Sequence, residues 1–290
     1  MRKAISLAVL AACASLAGCA IVVIPDDGGN ARVTSVFGSS GVQGNGQTVV
    51  EQRPAVDADS IDINGPLQVE VKVGNATGLQ VEGDSNLLPM VRTDASGGLL
   101  RVWVDGKVNS SNALRVTYTT PALRQIQSNG SGRLLVTGLN GGALTLSQNG
   151  SRQVQLSGHV SRLEARLNGS GSVTAAGLQS GSTTASLHGS GKLDLGRVDG
   201  ERLELDVRGS GGVHASGVVR NMNVRVYGSG SASLAGLQSQ SADLVTYGSG
   251  SITAAVSQSL VASSNGSGYV TVYGNPAQRN ISGRNVTLMQ

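Results

Sequence analysis

The sequence predicts an all-β protein: a single-stranded β-helix, or β-solenoid, with coils of about 20 residues, preceded by an irregular β region. Three observations predict it. The tripeptide Gly-Ser-Gly recurs at nearly constant spacing, apolar and polar residues alternate between its copies, and no segment has an amphipathic helical stripe of useful length. With 42 glycines but only one Phe, one Trp and five Tyr in 290 residues, the core must consist of many small, regular contacts.

The first element is an N-terminal export signal. Arg2 and Lys3 precede an apolar run that is too short to span a bilayer, and the run ends in LAGC at Leu16 to Cys19. This ending resembles the lipobox of bacterial lipoproteins. The resemblance implies cleavage before Cys19 and acylation of that cysteine, so residues 1–18 are predicted to be the signal peptide. Ala20 in place of Asp after the cysteine implies the outer membrane.

Composition divides the rest of the chain. Residues 19–45 read as the lipidated cysteine and a flexible tether, because they are rich in Gly, Asp, Asn and Ser. Residues 46–121 contain the alternating stretches SIDI, LQVEVKV, LLRVWV and LRVTYTT, which are typical of half-buried strands. The formal charge of +4 falls to about +2 once the signal is removed, which argues against a nucleic-acid partner.

From residue 122 to residue 290 the chain repeats itself. The tripeptide begins at the following glycines, with a degenerate Gly-Ser-Arg at Gly150: Gly130, Gly169, Gly189, Gly209, Gly228, Gly248 and Gly266. The successive steps are 20, 19, 20, 20, 19, 20 and 18 residues. Such a period is typical of a solenoid, in which no coil can bury its apolar side alone.

Alignment of the copies gives the structure of one coil. Before the tripeptide, apolar residues such as Leu203, Leu205 and Val207 alternate with polar ones such as Glu204 and Asp206. A second short strand follows the tripeptide, and a Gly-Leu or similar pair then turns the chain again. We therefore predict two strands and two corners per coil, with coils stacked in parallel about 4.8 Å apart. Glycine is needed at a corner that meets its own copies above and below.

These features resemble the putative auto-transporter adhesins with a head GIN domain. The resemblance rests on the serial Gly-Ser-Gly corners, on TPAL at Thr120 to Leu123, on VYGNPAQRNISG at Val272 to Gly283, and on the SIDINGPLQVEVKV opening. It covers roughly Gln47 to Gln290 and implies a β-helix-like fold in an exported bacterial protein. The family supplies no catalytic residues to carry over.

The Gly-Ser-Gly loops themselves do not fit known chemistry. A phosphate-binding loop needs a Lys, a Ser or Thr and a following helix, whereas a strand follows each corner here. A serine nucleophile needs the GxSxG elbow and a partner histidine, but His159, His188 and His214 occupy different phases of the repeat. We predict no catalytic residue, no metal site and no cofactor.

An enzyme acting on polysaccharides, a lyase or hydrolase on a β-helix, is the main alternative. The acids Glu164, Glu204 and Asp243 share one outward phase of the repeat. They lie two coils apart, about 9.6 Å, which is at the edge of the range for inverting glycosidases and too far for retaining ones. Arg166 and Arg208 alternate with these acids, as they would in surface ion pairs.

The most suggestive surface feature is a column of residues immediately before the corners, which we call the ladder. It runs through Asn129, Asn149, Asn168, His188, Arg208, Tyr227, Tyr247 and Asn265, with Tyr269 nearby. Its amides and flat rings suit contact with a glycan or a protein, although Asn and Tyr also stack well for structural reasons alone. The candidate contact residues are those from Asn168 onward.

The sequence thus predicts a lipid-anchored, non-catalytic binding or structural module of the bacterial outer membrane. Adhesion and polysaccharide contact are the roles considered, and the side of the membrane stays open. The predicted partners are the membrane, through the N-terminal lipid, and a glycan or another envelope protein. A third interpretation is a scaffold whose open last coils hold another envelope protein; the tail, residues 272–290, is the candidate C-terminal cap.

Overall fold

The computed structural model describes residues 21–25, 31–35 and 41–289 of the chain. It divides into two compact units, Met1–Gly41 and Val42–Gln290. The predicted signal peptide, residues 1–18, and the predicted lipidation site, Cys19, lie outside the described residues. In the first unit, β1 (Ile21–Pro25) and β2 (Ala31–Ser35) pair antiparallel within the segment predicted as a tether.

The second unit begins with short strands and one turn of 3₁₀ helix. They are β3 (Val42–Gln43), β4 (Thr48–Arg53), β5 (Ser60–Asn64), β6 (Leu67–Val73), β7 (Gly78–Asp84), η1 (Leu88–Met90), β8 (Val91–Ser96), β9 (Leu99–Val104), β10 (Val108–Asn109) and β11 (Arg115–Thr120). No helix in the described ranges has the length and apolar character needed to cross a membrane.

The repeat region consists of longer strands, most of which follow the chain around a coil. They are β12 (Gln125–Gly130), β13 (Gly132–Gly150), β14 (Gln153–Gly169), β15 (Ser172–Ser180), β16 (Thr183–Gly189), β17 (Lys192–Gly209), β18 (Gly212–Gly228), β19 (Ser231–Gly248), β20 (Ser251–Gly266), β21 (Tyr269–Tyr273), β22 (Gln278–Ser282) and β23 (Val286–Met289). The predicted fold, an all-β chain with a solenoid of about eight coils, is confirmed.

The N-terminal β region mixes antiparallel and parallel pairs. β4 and β11 both pair antiparallel with β7, and β8 pairs antiparallel with β9. β5 and β6 instead lie parallel to the first repeat strands, with Ser60 opposite Gln125 and Leu67 opposite Gly132. The solenoid therefore starts one coil earlier than the first Gly-Ser-Gly, and Gly65 occupies the corner of that coil.

A loop of this region is held by one buried carboxylate. Asp84 is 1% exposed and accepts hydrogen bonds from the hydroxyl of Ser110 and from the amide of Asn112, the latter at 2.7 Å. These hydrogen bonds, that from Ser110 most of all, lower the pKa of Asp84 below its usual value. The charged form of Asp84 is thus the form that ties the loop of Ser110 and Asn112 to β7.

Inward side chains form continuous apolar columns along the stack. The column of Ala165 continues through Ala185, Leu205 and Val224 to Leu244, and all of these side chains are buried. Each side chain thus packs against its equivalents in the coils above and below, whose strands are about 4.8 Å away. This packing explains why a core with so few aromatic residues can be closed: regular repetition replaces large side chains.

Each coil is divided at three places, one more than predicted. In β17, pairing with β18 runs over Lys192–Asp194, shifts, resumes over Arg197–Gly200, skips Glu201 and then continues over Arg202–Gly209. We call the stretch that ends at Gly-Ser-Gly, here Arg202–Gly209, the first side of the coil. The stretch that follows a tripeptide, here Lys192–Asp194, is the second side, and Arg197–Gly200 is the third side. The third side is short and carries only one or two inward residues, such as Val198, so its alternation is too brief to stand out in the sequence.

The corner glycines are required by two independent constraints. Gly209 has φ of +123°, and a Cβ there would lie 2.4 Å from the carbonyl oxygen of Gly189 in the coil below. The same carbonyl oxygen accepts hydrogen bonds from the N–H groups of Ser210 at 3.0 Å and Gly211 at 3.1 Å. Because the corner N–H groups are bonded within the stack, they are not free to cradle a phosphate.

The degenerate corner at Gly150 keeps the stack in register. Asn149 and Gly150 pair with Asn168 and Gly169 as in a regular coil. Arg152 points inward, is fully buried and donates to the carbonyl oxygens of Leu67 at 2.5 Å and Gly65 at 2.7 Å. Burial away from water lowers the pKa of Arg152 to about 10.

Candidate functional site

The structure brings the ladder residues into one column on the outer surface. Strand pairing places the side chains ahead of each corner directly above one another, and the column extends further toward the N-terminus than the sequence indicated. In order it contains Trp103, Asn64, Asn129, Asn149, Asn168, His188, Arg208, Tyr227, Tyr247 and Asn265. The positions of Trp103 and Asn64 were missed, although Asn64-Gly65 copies the Asn-Gly of four later corners.

The lower part of the ladder is a chain of side-chain amides. Asn129 donates to the Oδ1 of Asn64 at 3.0 Å, Asn149 donates to Asn129 at 2.9 Å, and Asn168 donates to Asn149 at 2.9 Å. Each inner amide therefore gives one hydrogen bond and receives another along the solenoid axis. These hydrogen bonds stabilise the stack. They also occupy one of the amide N–H donors of Asn168, which is then not available to a ligand.

The middle of the ladder is a charged cluster. Arg208 donates from Nε to the carboxylate of Asp206 at 2.8 Å, and His188 Nε2 lies 3.9 Å from the same carboxylate. The hydrogen bond with Asp206 raises the pKa of Arg208 above its ordinary value. Arg208 also lies over the ring of Tyr227, 5.3 Å from its centroid.

The upper part of the ladder is the tyrosine pair, Tyr227 and Tyr247. Their ring centroids are 5.0 Å apart and their planes differ by 5°. Tyr227 is thus sandwiched between Arg208 and Tyr247, and neither of its faces is free for a sugar ring. The pair offers a ligand the ring edges, the hydroxyl groups and the face of Tyr247 toward Asn265, and Tyr247 is 44% exposed.

Tyr269 does not belong to this column. It pairs with Ser251, which places it after the corner on the second side of the coil, whereas Asn265 lies before the corner on the first side. Its side chain is 62% exposed. Tyr269 and the tyrosine pair are therefore on opposite sides of the same edge, which agrees with the position of Tyr269 directly after the last Gly-Ser-Gly.

The acids of the alternative hypothesis lie in the predicted positions. Glu204 and Asp243 are separated by Asn223 in one column, so they are two coils apart. They line a shallow recess of about 440 Å³ in which the Oδ1 of Asn223 is buried without a partner. Arg225 lies 3.9 Å from Asp243. Within the described ranges no three His, Cys, Asp or Glu side chains converge on a point that could hold a metal ion.

A second surface feature is a groove on the third side of the last coils, which we call the C-terminal groove. It has a volume of about 560 Å³. Its lining comprises Val218, Val219, Gln238, Ser239, Gln240, Ala255, Val256, Ser257, Tyr273, Gly274 and Asn275. Sequence reasoning missed this groove, although the 18-residue step between Gly248 and Gly266 is its signal, because that coil is two residues shorter than the coil before it.

The shortened coil explains the groove. Pairing of β19 with β20 shifts between Leu234 and Gln238 and again between Ser239 and Ser241, and the strands are back in register at the next corner. As a result Ala255 stands in a column between Gln238 and Tyr273. A methyl group therefore separates two long side chains about 9.6 Å apart, and the recess lies above that methyl group.

Comparison with known proteins agrees with the observed fold. A sequence model of the family described as putative auto-transporter adhesin, head GIN domain, matches residues 57–196 and 173–276, which together exceed half of the chain. No curated protein matches the chain.

Solved structures similar to this one include three from Parabacteroides. A putative lipid binding protein from Parabacteroides distasonis is 22% identical, with a TM-score of 0.65. A putative adhesin from Parabacteroides merdae is 19% identical, with a TM-score of 0.62, and a putative adhesin from Parabacteroides distasonis is 21% identical, also with a TM-score of 0.62. Each similarity covers 86% of this chain and 99% of the other. At these identities the similarity shows a common fold.

Proposed function

We propose that this chain, which belongs to the putative auto-transporter adhesin, head GIN domain family, is a lipid-anchored, non-catalytic adhesive module of the bacterial cell envelope. Cys19 would carry the lipid, and the coils of residues 218–289, which we call the C-terminal coils, would make the adhesive contact. The family's description supports a role at the envelope or surface. The LAGC sequence at Cys19 supports the lipid anchor, and Ala20 in place of Asp after it supports an outer-membrane location.

The distribution of exposed apolar side chains carries the proposal. Large hydrophobic side chains that are well exposed occur near the start of the second unit and in the C-terminal coils, but none of the described residues 57–217 is among them. In the C-terminal coils they are Val218, Tyr247, Val261, Tyr269, Tyr273, Ile281 and Met289. They are spread over the three sides of these coils, with Val218 and Tyr273 on the third side and Tyr269 on the second. Exposed tyrosines are typical of interaction surfaces.

The groups that would serve an enzyme support a non-catalytic role, because they already have structural partners. The corner N–H groups bond within the stack. Of the three acids in one column, Glu164 is paired with Arg166 and Asp243 lies near Arg225. The remaining acid, Glu204, is two coils from each of the others, about 9.6 Å, so no two of these three carboxylates are close enough for a retaining hydrolase.

The anchor is tested by fractionation of bacteria that produce the full-length chain. We expect the unaltered protein in the membrane fraction and the Cys19→Ala variant in the soluble fraction, because loss of the acyl chains removes the attachment. Cys13→Ala is the matched control, since this cysteine lies within the predicted signal. An unchanged distribution of Cys19→Ala would refute the lipid anchor.

Adhesion is tested with the same cells on surfaces coated with host or bacterial envelope material. We expect cells with the full-length protein to adhere more than cells without it. A Tyr247→Ser, Tyr269→Ser, Tyr273→Ser triple variant, which alters all three sides of the C-terminal coils, should remove most of that gain, whereas Asn129→Ser, in the lower part of the ladder, should preserve it. Equal adhesion with and without the protein would contradict the proposed function.

A further inference from the structure

The C-terminal groove has a neutral lining. Apart from the phenol of Tyr273, its lining contains no ionisable side chain. The nearest charge in the same column is Asp199, one coil beyond Val218. That carboxylate already pairs with Arg197 and accepts the backbone N–H of Val218 at 3.1 Å. The guanidinium of Arg279 lies beside the lining and is already bonded to the Oδ1 of Asn275 and, at 2.7 Å, to the carbonyl oxygen of Pro276. A cationic ligand would therefore lose hydration in the groove without meeting a free carboxylate, and an anionic one would have to compete for a guanidinium that is already bonded.

The groove offers side-chain groups and few free backbone groups. Its strands lie within the stack, where Gln238 and Ala255 pair with the strands on either side along the axis. An extended peptide that adds a strand needs an open sheet edge, and these inner strands have none. The polar side chains of the lining include the amides of Gln238, Gln240 and Asn275 and the hydroxyls of Ser257 and Tyr273. The hydroxyl of Ser257 donates to the carbonyl oxygen of Ser239 at 3.1 Å and the Oδ1 of Asn275 accepts from Arg279, so Gln238, Gln240 and Tyr273 are the main groups left for a ligand.

These groups match a ligand rich in hydroxyls. Amides and hydroxyls both donate and accept, as the hydroxyls of a sugar do. Val218 is 52% exposed and Tyr273 is 42% exposed, and they stand on either side of Gln238 and Ala255 in the same column. They provide apolar surface for the C–H faces of a sugar ring. The recess above Ala255 separates the two long side chains by about 9.6 Å, which is wide enough for one extended sugar chain.

We propose that the C-terminal groove binds an uncharged polysaccharide, with the chain lying over Ala255 between Gln238 and Tyr273. This inference rests on the proposed adhesive function and names the class of ligand and the site. It differs from the ladder hypothesis, because the groove lies on the third side of the coils and the tyrosine pair lies on the first.

The test measures binding of the full-length protein, purified in detergent, to soluble polysaccharides. The probes are dextran, a mannan and a β-glucan as neutral chains, polygalacturonate as an anionic chain and chitosan as a cationic one. We expect at least one neutral chain to bind with a measurable Kd and to exceed both charged chains at least tenfold in affinity.

Variants locate the site. Ala255→Gln fills the recess and should weaken binding at least tenfold, while Thr253→Gln adds the same side chain to the same coil outside the groove and should have no effect. Tyr273→Ala should also weaken binding. Unchanged melting temperatures would show that the Ala255→Gln and Thr253→Gln variants are folded, and Gln238→Ala, which only shortens an exposed side chain, gives a second variant if Ala255→Gln does not fold.

The possible outcomes distinguish failure of the groove proposal from failure of the proposed adhesive function. Binding that persists in Ala255→Gln and Gln238→Ala overturns the groove as the site, as does loss of binding only in Tyr227→Ala or Tyr247→Ala. Stronger binding of a charged chain overturns the ligand class. If no neutral chain binds while cells still adhere through the protein, the inference fails and the adhesive function stands. If cells do not adhere either, the proposed function fails as well.

Discussion

The middle coils, residues 139–217, and the C-terminal coils, residues 218–289, share one backbone and present different surfaces. Both have Gly-Ser-Gly corners at positive φ that stack on the carbonyl oxygen of the coil below. The middle coils contain 13 Asp, Glu, Lys and Arg residues. The C-terminal coils contain only Arg220, Arg225, Asp243, Arg279 and Arg284.

Different positions of the repeat determine the stacking of the coils and the chemistry of their surface. Inward residues and corner glycines determine how coils stack, whereas every second residue points outward and contacts only other outward residues of its own and neighbouring coils. The column of Glu164 can therefore change from acid to amide to Val261 along the axis without disturbing the pairing.

The largest expected effect is the loss of stability when a stacked corner glycine, a feature of both regions, is replaced. Gly209→Ala and Gly248→Ala place a Cβ 2.4 and 2.7 Å from the carbonyl oxygen of Gly189 and Gly228, at positive φ in both cases. We expect each variant to lose at least about 3 kcal/mol of unfolding free energy, from backbone strain together with overpacking. Chemical denaturation followed by circular dichroism measures the loss.

Gly141→Ala is the control for this comparison. Gly141 also has positive φ, +75°, but a Cβ there would meet nothing within 4 Å. The Gly141→Ala substitution should lower the unfolding free energy only by the conformational penalty of about 1 kcal/mol. A loss at Gly248 as small as that at Gly141 would mean that the corners of the C-terminal coils are not stacked like those of the middle coils.

An intermediate effect concerns the two ends of the ladder. Asn149→Ala removes one hydrogen bond to Asn129 and one from Asn168, so we expect a loss of about 1–2 kcal/mol. Asn265→Ala, at the C-terminal end, removes only a local bond to Ser263 at 3.0 Å and should cost less than half as much. Equal losses, again by denaturation, would refute a structural role for the amide chain.

The smallest expected effect is the coupling between Tyr227 and Tyr247. A double-mutant cycle with Tyr227→Ala and Tyr247→Ala should give a coupling free energy of about 1 kcal/mol, the usual value for an aromatic pair. The pair Asn168 and His188, one step apart lower in the same ladder, serves as the control cycle. A coupling no larger than that of the control would show that the rings do not stack in solution.

The sequence predicts much of this fold because the same corner and the same inward apolar positions recur in eight copies of the repeat. A positive φ, a close carbonyl and an inward apolar column constrain every copy, so period and alternation are visible without a structure. The third side of the coil escapes this reasoning. It carries few inward residues, and its pairing is shifted by bulges whose positions depend on the neighbouring coil rather than on its own sequence.

The candidate sites were predicted less completely for a related reason. The ladder follows from spacing, but the direction in which a ring face points does not, so the sandwiching of Tyr227 by Arg208 and Tyr247 had to come from the structure. Tyr269 directly follows the last Gly-Ser-Gly, so its position beyond the corner was already visible in the sequence, and strand pairing agrees. The C-terminal groove forms because one coil is two residues shorter than the coil before it. The sequence of a single repeat therefore does not reveal it.

The shortened coil has a consequence for how such proteins change. Two residues are missing from the coil that ends at Gly266, yet Tyr247 and Gly248 meet Asn265 and Gly266 in register. A small deletion in most folded domains shifts everything downstream of it, whereas here the irregularity ends at the next corner. Insertions and deletions on the third side are therefore a mutational route by which one coil acquires a new recess while its neighbours keep their shape.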